Sequence, residues 1–126
     1  MAKYGAAALA VHNRTVEKAR DLAARVHAAF PATAAAAAGP RPAGHDLVIN
    51  ATSLGMRPDD ALPFDPTGLE PGTVAAEIVI HPETTPFLAA AAARGCTLQR
   101  GLPMLVEQID QMIAFMLGPC DGRSAH

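Results

Sequence analysis

Apolar residues along the chain follow two alternating patterns. Four short apolar runs are bounded by polar or turn-forming residues, which is typical of buried strands. They cover residues 7–12, 46–50, 73–80 and 96–100. Two longer segments, 16–26 and 103–117, instead repeat apolar residues every three or four positions, as the buried face of a helix does. Strands that alternate with helices predict βαβ units, and hence a parallel sheet with helices on its faces.

Capping residues mark the ends of the predicted helices. Thr15 precedes the first helix as an N-cap. Thr85 and Pro86 form an N-cap and first-turn pair before an alanine-rich second helix, which Gly95 closes. The last helix is predicted from Pro103 to Leu117, with one apolar side facing the core. That side consists of Leu105, Ile109, Met112, Ile113 and Met116.

Two segments carry weaker structural signals. The stretch from Phe30 to Gly44 is rich in alanine, proline and glycine, which predicts a short alanine helix followed by a loop. Residues 119–126 are predicted to form a flexible tail. The chain has 126 residues and half of them are apolar, so we expect one domain with one core over residues 1–118.

Charge and cysteine content narrow the class of function. A net charge of -2 supplies no basic field for nucleic acid, and no apolar run approaches the ~20 residues that span a bilayer. The two cysteines are far apart and indicate no disulfide framework, so a reducing, cytoplasmic location is expected. The five histidines are scattered without ligand spacing, which predicts no metal site.

Polar clusters stand directly after each of the predicted strands. They are Asn13–Thr15, Asn50–Met56, His81–Thr85 and Arg100–Pro103. The carboxyl ends of parallel strands meet at one edge of a sheet, and ligands bind beyond that edge. The sequence therefore predicts a binding site for a small molecule there. It contains no arrangement typical of a Ser or Cys nucleophile, and we assign no catalytic residue.

Arg14 lies where the first predicted strand leads into the first helix. In dinucleotide-binding folds, the residue after the second strand either accepts from the ribose hydroxyl of NAD or meets the 2′-phosphate of NADP. A guanidinium has forked donors that match a phosphate, and Asn13 and Thr15 add neutral donors. The triplet is compatible with a 2′-phosphate, and an exposed arginine beside an ordinary N-cap is the alternative that the pattern leaves open.

The loop after the second run and the last helix supply further candidates. Thr52, Ser53 and Gly55 are small residues that let the backbone approach a flat ligand, although the pattern alone fits a turn closed by side-chain caps slightly better. Gln108 lies one turn into the last helix, where its amide has the groups to bind a substrate hydroxyl or carboxylate. The alternative for Gln108 is an ordinary surface position.

Together these clusters resemble the cofactor half of shikimate dehydrogenase, the NADP enzyme that reduces 3-dehydroshikimate in aromatic amino-acid biosynthesis. The matching stretches, in the family's order, are NRTVEKA (13–19), DLVINATSLGM (46–56), EIVIHPETTPFL (77–88) and GLPMLVEQ (101–108). NRT also occurs in glutamyl-tRNA reductases, but NATSLGM followed by GLPMLVEQ points away from them. The resemblance implies a Rossmann-like α/β fold, NADP as cofactor and a small cyclic hydroxy acid as substrate.

The resemblance also implies which residues bind the cofactor. Those around the adenosine 2′-phosphate would be Asn13, Arg14, Thr15, Val16, Glu17 and Lys18. Those along the rest of the cofactor would be Thr52, Ser53, Gly55, Met56 and Ile78, with Gly101 at the nicotinamide end. On the substrate side, the resemblance implies Ile80 and Gln108.

The chain departs from the family pattern at three positions. Glu77 replaces an aspartate, Ile80 replaces a substrate-contacting tyrosine, and Pro103 replaces a glycine. The loss of the tyrosine hydroxyl favours a shikimate dehydrogenase-like variant that acts on quinate or another cyclic hydroxy acid. A non-catalytic module that binds a nucleotide or a partner chain is the alternative from another class of function.

A glycine loop for the pyrophosphate is also missing from the sequence. No two glycines stand two residues apart, so we expect the fold to lack the GxGxxG-type loop and the first strand before it, with Met1–Gly5 as the tail of the helix that follows. The family's catalytic lysine has no counterpart in Lys3 or Lys18, so we expect the isolated chain to be inactive. Without the central first strand, its two neighbours are left to pair directly, to receive a strand from a partner, or to self-associate through exposed edges.

Overall fold

The computed structural model describes residues 1–118. The chain divides into two compact units, one spanning Met1–Pro40 and the other beginning at Arg41. Each unit contains parallel strands flanked by a helix, which confirms the predicted α/β class. The single domain over 1–118 stays a prediction, and the predicted tail at 119–126 lies outside the described residues.

The first unit is a β-α-β motif. Strand β1 (Ala8–Val11) leads to helix α1 (Val16–Ala29), and strand β2 (Ala34–Ala37) returns parallel to β1. On α1, the small side chains of Ala19 and Ala23 are buried, so the helix packs closely on this two-stranded sheet. The predicted strand and helix are therefore both present.

Strand β2 corrects the prediction of an alanine helix. Alanine has the highest helix propensity, but five consecutive alanines between Thr33 and Gly39 are too few to stabilise a helix. Thr33 is buried, and its hydroxyl donates to the carbonyl oxygen of Ala6 at 2.8 Å. This anchor aligns the alanines with β1, and pairing with β1 along the whole strand then outweighs the local propensity.

The second unit contains a three-stranded parallel sheet. Its strands are β3 (Leu47–Asn50), β4 (Val74–Glu77) and β5 (Thr97–Gln99), in the order β3-β4-β5. Helix α2 (Pro86–Ala93) connects β4 to β5, and helix α3 (Gly101–Leu117) follows β5. Short 3-10 turns occur in both units, at Ala2–Tyr4 and Pro66–Gly68. Because the strands are parallel, their carboxyl ends lie at one edge of this sheet.

Helix α2 has the end signals that the sequence predicted. The Thr85 hydroxyl accepts a hydrogen bond from the backbone N–H of Leu88 at 3.3 Å, and Pro86 occupies the first turn. Gly95, at a φ of 79°, adopts the left-handed conformation that ends the helix. These contacts fix where the chain leaves β4 and where it enters β5.

The core of the second unit lies between its sheet and α2. The buried apolar side chains of this core are Val48, Leu69, Ala75, Phe87, Leu88 and Ala91. The ring of Phe64 packs on that of Phe87, with 5.6 Å between the ring centres. The sheet and α2 therefore form a packed support for the loops that follow β3 and β4.

Helix α3 differs from its prediction in two respects. It begins at Gly101 rather than Pro103, because proline is tolerated in the first turn of a helix. Its predicted core side is exposed, and Gly101 is its one buried residue within the described chain. The exposed fractions range from 38% at Leu105 to 79% at Met116. Periodicity located the helix correctly but did not determine which surface covers its apolar side.

The five described strands form two sheets. In the described residues, β1 pairs with β2, and β3 pairs with β4. Among the helices of residues 1–118, none has the length and hydrophobicity that crossing a bilayer requires.

Candidate functional site

The triplet Asn13–Thr15 forms the turn between β1 and α1. The side-chain oxygen of Asn13 accepts a hydrogen bond from the backbone N–H of Thr15 at 2.8 Å. Thr15 occupies the N-cap position of α1, as predicted, but its side chain makes no capping hydrogen bond. The first N–H groups of a helix have no carbonyl partner within it. The turn therefore carries donors at the positive end of the helix dipole, where an anion is favoured.

Arg14 is exposed beside the start of α1. Residues 1–118 contain two ion pairs, and neither involves Arg14. One joins Arg20 to Glu17 at 3.1 Å, and the other joins Arg100 to Glu83 at 3.5 Å. The guanidinium of Arg14 thus lies close in sequence to the helix donors and is accessible to a ligand.

The first turn of α1 holds the other three residues predicted near the phosphate. Val16, Glu17 and Lys18 are all exposed. The Glu17 carboxylate would repel a phosphate, but its ion pair with Arg20 offsets part of its charge. Lys18 adds a second cation close in sequence to Arg14.

In the second unit, a cleft of about 440 Å³ lies beyond the carboxyl ends of β3 and β4. One wall is the loop after β3, and the other is the segment after β4. The residues that line it are Ala51, Thr52, Ser53, Met56, Ile78, Val79, Ile80 and His81. Five of these were predicted as site residues from segments far apart in the sequence, and parallel pairing of β3 with β4 brings them together. The lining is mostly apolar with a few polar groups, as in sites for flat organic ligands.

A buried hydrogen-bond network centred on Glu77 lies at the base of these walls. Glu77 and Asn50 are opposite each other across the β3–β4 pair, and both are fully buried. Glu77 Oε1 accepts from the backbone N–H groups of Ile78 and Val79 at 2.9 and 3.0 Å. Glu77 Oε2 accepts from the Thr85 hydroxyl at 2.9 Å. Asn50 Nδ2 donates to both carboxylate oxygens at 3.0 Å.

Asn50 also organises the loop after β3. Its side-chain oxygen accepts from the Thr52 hydroxyl at 2.7 Å and from the Thr52 backbone N–H at 3.1 Å. Its amide nitrogen donates to the carbonyl oxygen of Leu54 at 2.9 Å, and Thr52 Oγ1 accepts from the Leu54 N–H at 3.1 Å. The loop is therefore a capped turn, the alternative that the sequence left open, and it also forms a wall of the cleft. Ser53 is exposed at its tip.

Gly55 and Asp60 close the far side of this loop. Gly55 has a φ of 110°, and a Cβ at this position would lie 3.2 Å from two side-chain carbons of Thr85. Asp60 Oδ2 accepts from the backbone N–H groups of Gly55 and Arg57 at 3.0 and 3.1 Å. The hydrogen bonds from Arg57 and Gly55 lower the pKa of the Asp60 carboxyl below its ordinary value. The loop is thus tied to α2 by close packing and to Asp60 by two hydrogen bonds.

The two predicted residues on α3 occupy different environments. Gly101 is buried, and a Cβ there would lie 2.5 Å from the carbonyl oxygen of Val79. The start of α3 therefore packs directly on the backbone of a cleft wall. Gln108 is exposed and is not among the residues that line the cleft.

Sequence reasoning missed several residues that shape the cleft. Ala51, Val79 and His81 line it, while Asn50 and Thr85 hold its walls through Glu77. Ala51 and His81 directly follow predicted strands and belong to the predicted polar clusters, whereas Val79 lies within the predicted strand 73–80. Residues 1–118 contain no group of three or more His, Cys, Asp or Glu side chains placed to hold a metal ion.

Comparison with known proteins identifies the relationship. No protein-family profile matches the chain. The chain is 40% identical to the NADP(+) shikimate dehydrogenase of Rhizobium meliloti (strain 1021) over an alignment of 104 residues. This alignment covers 82% of the chain and 36% of that enzyme. The chain is a relative of the shikimate dehydrogenases. It spans about a third of the length of these relatives.

Solved structures share the fold of this chain. Ligand-free 5-ketofructose reductase of Gluconobacter sp. strain CHM43 matches with a TM-score of 0.79 and 37% identity, over 93% of this chain and 44% of that one. Quinate dehydrogenase from Corynebacterium glutamicum, in complex with NAD, matches with a TM-score of 0.77 and 27% identity, over 92% and 43% of the two chains. The predicted Rossmann-like fold and the predicted resemblance to shikimate dehydrogenase are both confirmed.

Proposed function

We propose that the chain is the NADP-binding part of a shikimate dehydrogenase-like oxidoreductase. The observation that carries this proposal is the cleft beyond β3 and β4, which gathers predicted cofactor residues from two separate segments. When bound, NADPH supplies a hydride for the ring carbonyl of a substrate such as 3-dehydroshikimate. The protein's part is to hold and orient the two reactants. A cytoplasmic location suits this biosynthetic role and the free thiol of Cys96.

The turn before α1 suits the phosphate end of the cofactor. Arg14 and Lys18 supply positive charge, and the start of α1 supplies backbone donors. A guanidinium can donate hydrogen bonds to two oxygens of the 2′-phosphate of NADP at once. The ribose hydroxyl of NAD does not offer this pair of acceptors. This combination supports NADP over NAD, with Asn13 and Thr15 as neutral donors.

The cleft suits the nicotinamide end. Ile78 and Ile80 provide apolar surface at one wall, while Thr52, Ser53 and Met56 lie on the other. A flat ring fits between an apolar wall and a polar loop, where few hydrogen bonds fix its orientation. The close packing of Gly101 on Val79 supports this wall from behind.

The substrate is proposed to be shikimate, quinate or another cyclic hydroxy acid. Ile80 is half-buried in the cleft wall and has no hydroxyl to offer a substrate carboxylate or hydroxyl. A change in substrate preference relative to strict shikimate enzymes is therefore proposed. Gln108 remains a proposed substrate contact whose amide is exposed on α3.

Calorimetric titration of the purified chain tests the cofactor assignment. We expect NADP to bind at least about tenfold more tightly than NAD, because a charge-assisted hydrogen bond to phosphate contributes on the order of 1.5–3 kcal/mol. The nucleotide 2′-AMP, which carries only the phosphate end, should bind more weakly than NADP but measurably. Equal affinity for NAD and NADP would contradict the assignment.

We expect no measurable turnover from the isolated chain. Neither Lys3 nor Lys18 matches the context of the family's catalytic lysine, and both are outside the cleft lining. The measurement is NADPH oxidation, followed by absorbance, with 3-dehydroshikimate and the purified 126-residue protein. Steady oxidation above the substrate-free control would show that the chain carries its own proton donor.

A non-catalytic module that binds a partner chain is the second candidate function. The exposed apolar side of α3 supports it, because apolar helix faces are normally covered. The strand edges are proposed as a further route to self-association. Sedimentation analysis distinguishes the candidates: a stable oligomer that binds no nucleotide favours the module, and a nucleotide-binding monomer favours the enzyme part.

A further inference from the structure

Glu77 is a buried acidic residue for which the proposed hydride transfer has no use. Its side chain is completely inaccessible, and among the described residues no cation pairs with it. Every group that contacts its carboxylate donates a hydrogen bond: two backbone N–H groups, one hydroxyl and one side-chain amide. A buried carboxylate is costly unless such donors surround it, so the burial of Glu77 depends on these hydrogen bonds.

We infer that Glu77 is a positioning residue that holds the two walls of the cleft at their observed spacing. The inference rests on the proposed function for its effect on the cofactor, but the spacing itself is a property of the protein alone. No other described side chain hydrogen-bonds to the last residue of β3, to the segment after β4 and to the N-cap of α2 together.

The connection to the first wall runs through Asn50. Glu77 orients the Asn50 side-chain amide by accepting from its nitrogen. This leaves the Asn50 oxygen directed at Thr52, which in turn accepts from the backbone N–H of Leu54. Glu77, on the neighbouring strand, therefore stabilises the conformation of the wall that contains Thr52 and Ser53.

The connection to the second wall is direct. Glu77 Oε1 accepts from the N–H groups of Ile78 and Val79, both of which line the cleft. These bonds hold the backbone of the chain as it leaves β4. The bond from Thr85 to Oε2 anchors the same carboxylate to the first turn of α2, which packs in the core.

A glutamine at position 77 should affect the connections to the two walls differently. In Glu77→Gln, the remaining oxygen can still accept from the Ile78 and Val79 N–H groups. The new NH₂ group takes the place of Oε2, so Asn50 Nδ2 keeps its contact with the remaining oxygen but now also faces a donor, which weakens its attachment. We therefore expect the first wall to loosen while the second wall keeps its hydrogen bonds.

Amide hydrogen exchange measures this directly on the chain without ligand. In Glu77→Gln, exchange at the Thr52 and Leu54 amides should accelerate at least about tenfold more than exchange within β5. The control is Leu69→Ala, which removes a buried core side chain of the same unit outside the network. In this control, all the amides should accelerate together, in proportion to the lost stability.

Nucleotide titration then separates this inference from the proposed function. If the cleft binds the nicotinamide end, Glu77→Gln should weaken NADP about tenfold and leave 2′-AMP unchanged, whereas Leu69→Ala should leave both unchanged under folding conditions. Local loosening in a chain that binds no NADP would support the positioning role and refute the proposed function. If amide exchange in Glu77→Gln accelerates uniformly, as it does in Leu69→Ala, the positioning role is overturned.

A second variant covers the case in which Glu77→Gln does not fold. Glu77→Asp keeps the charge but is one methylene shorter, so its carboxylate reaches the N–H groups of Ile78 and Val79 more easily than Asn50 or Thr85. We expect the same pattern with a smaller effect. Exchange at the Thr52 and Leu54 amides should accelerate more than exchange within β5. Exchange at those two amides equal to that of the unmodified chain would overturn the inference.

Discussion

The Gly101→Ala variant is expected to lose about 1–3 kcal/mol of unfolding free energy, because it overpacks a contact that cannot relax locally. A Cβ at position 101 would lie 2.5 Å from the carbonyl oxygen of Val79 and 2.9 Å from its carbonyl carbon. Both are backbone atoms of the segment after β4, so the start of α3 or the cleft wall has to move. Urea denaturation should show a lower midpoint with little change in slope.

Gly39→Ala is the matched control for this substitution. A Cβ on Gly39 would meet no atom within 4 Å, and its φ lies outside the left-handed region. Alanine there should leave stability unchanged or raise it by about 0.4–1 kcal/mol through the unfolded state. If both variants unfold at the midpoint of the unmodified chain, the close packing of α3 on Val79 is wrong.

The Arg14→Ala variant is expected to bind NADP about tenfold more weakly and NAD equally well. The guanidinium is proposed to meet the 2′-phosphate, a group that NAD lacks. A charge-assisted bond contributes about 1.5–3 kcal/mol, and the lower end applies here because Arg14 is exposed and screened by salt. Calorimetry at two salt concentrations measures both the loss and its electrostatic origin.

Arg25→Ala is the control for a general loss of positive charge. Arg25 is also exposed on α1 but lies near its middle, away from the N-terminal donors. Its removal should change NADP affinity less than twofold, since exposed charges more than about 10 Å apart are largely screened. Equal effects of the two substitutions, or none from Arg14→Ala, would remove Arg14 from the proposed site.

At the proposed cofactor cleft, one residue that departs from the family pattern has all its hydrogen-bond partners. Glu77 was predicted as a substitution for aspartate, and its longer side chain has hydrogen-bond partners for both oxygens. Within residues 1–118, no buried side-chain nitrogen or oxygen lacks a hydrogen-bond partner. The replacement at Ile80 is different, because an apolar side chain supplies no substitute for the tyrosine hydroxyl. Changes in chemistry are therefore expected at Ile80 rather than at Glu77.

Local features of the sequence determined most of the secondary structure. The N-cap at Thr85, Pro86 in the first turn and Gly95 at the end specify α2 from neighbouring residues alone. The strands that become β3 and β4 were visible as apolar runs followed by polar clusters. The clusters also located the cleft, because a parallel sheet places the carboxyl ends of neighbouring strands side by side.

Only the tertiary structure decided features that depend on distant partners. The alanines of β2 favour a helix by propensity, and pairing with β1 overrides it. The apolar side of α3 has the period of a buried face, yet it is exposed. Asn50 and Glu77 form a network because the strand register sets them opposite each other. Sequence periodicity reports how a segment folds locally, whereas register and burial arise from contacts between segments that the pattern alone does not specify.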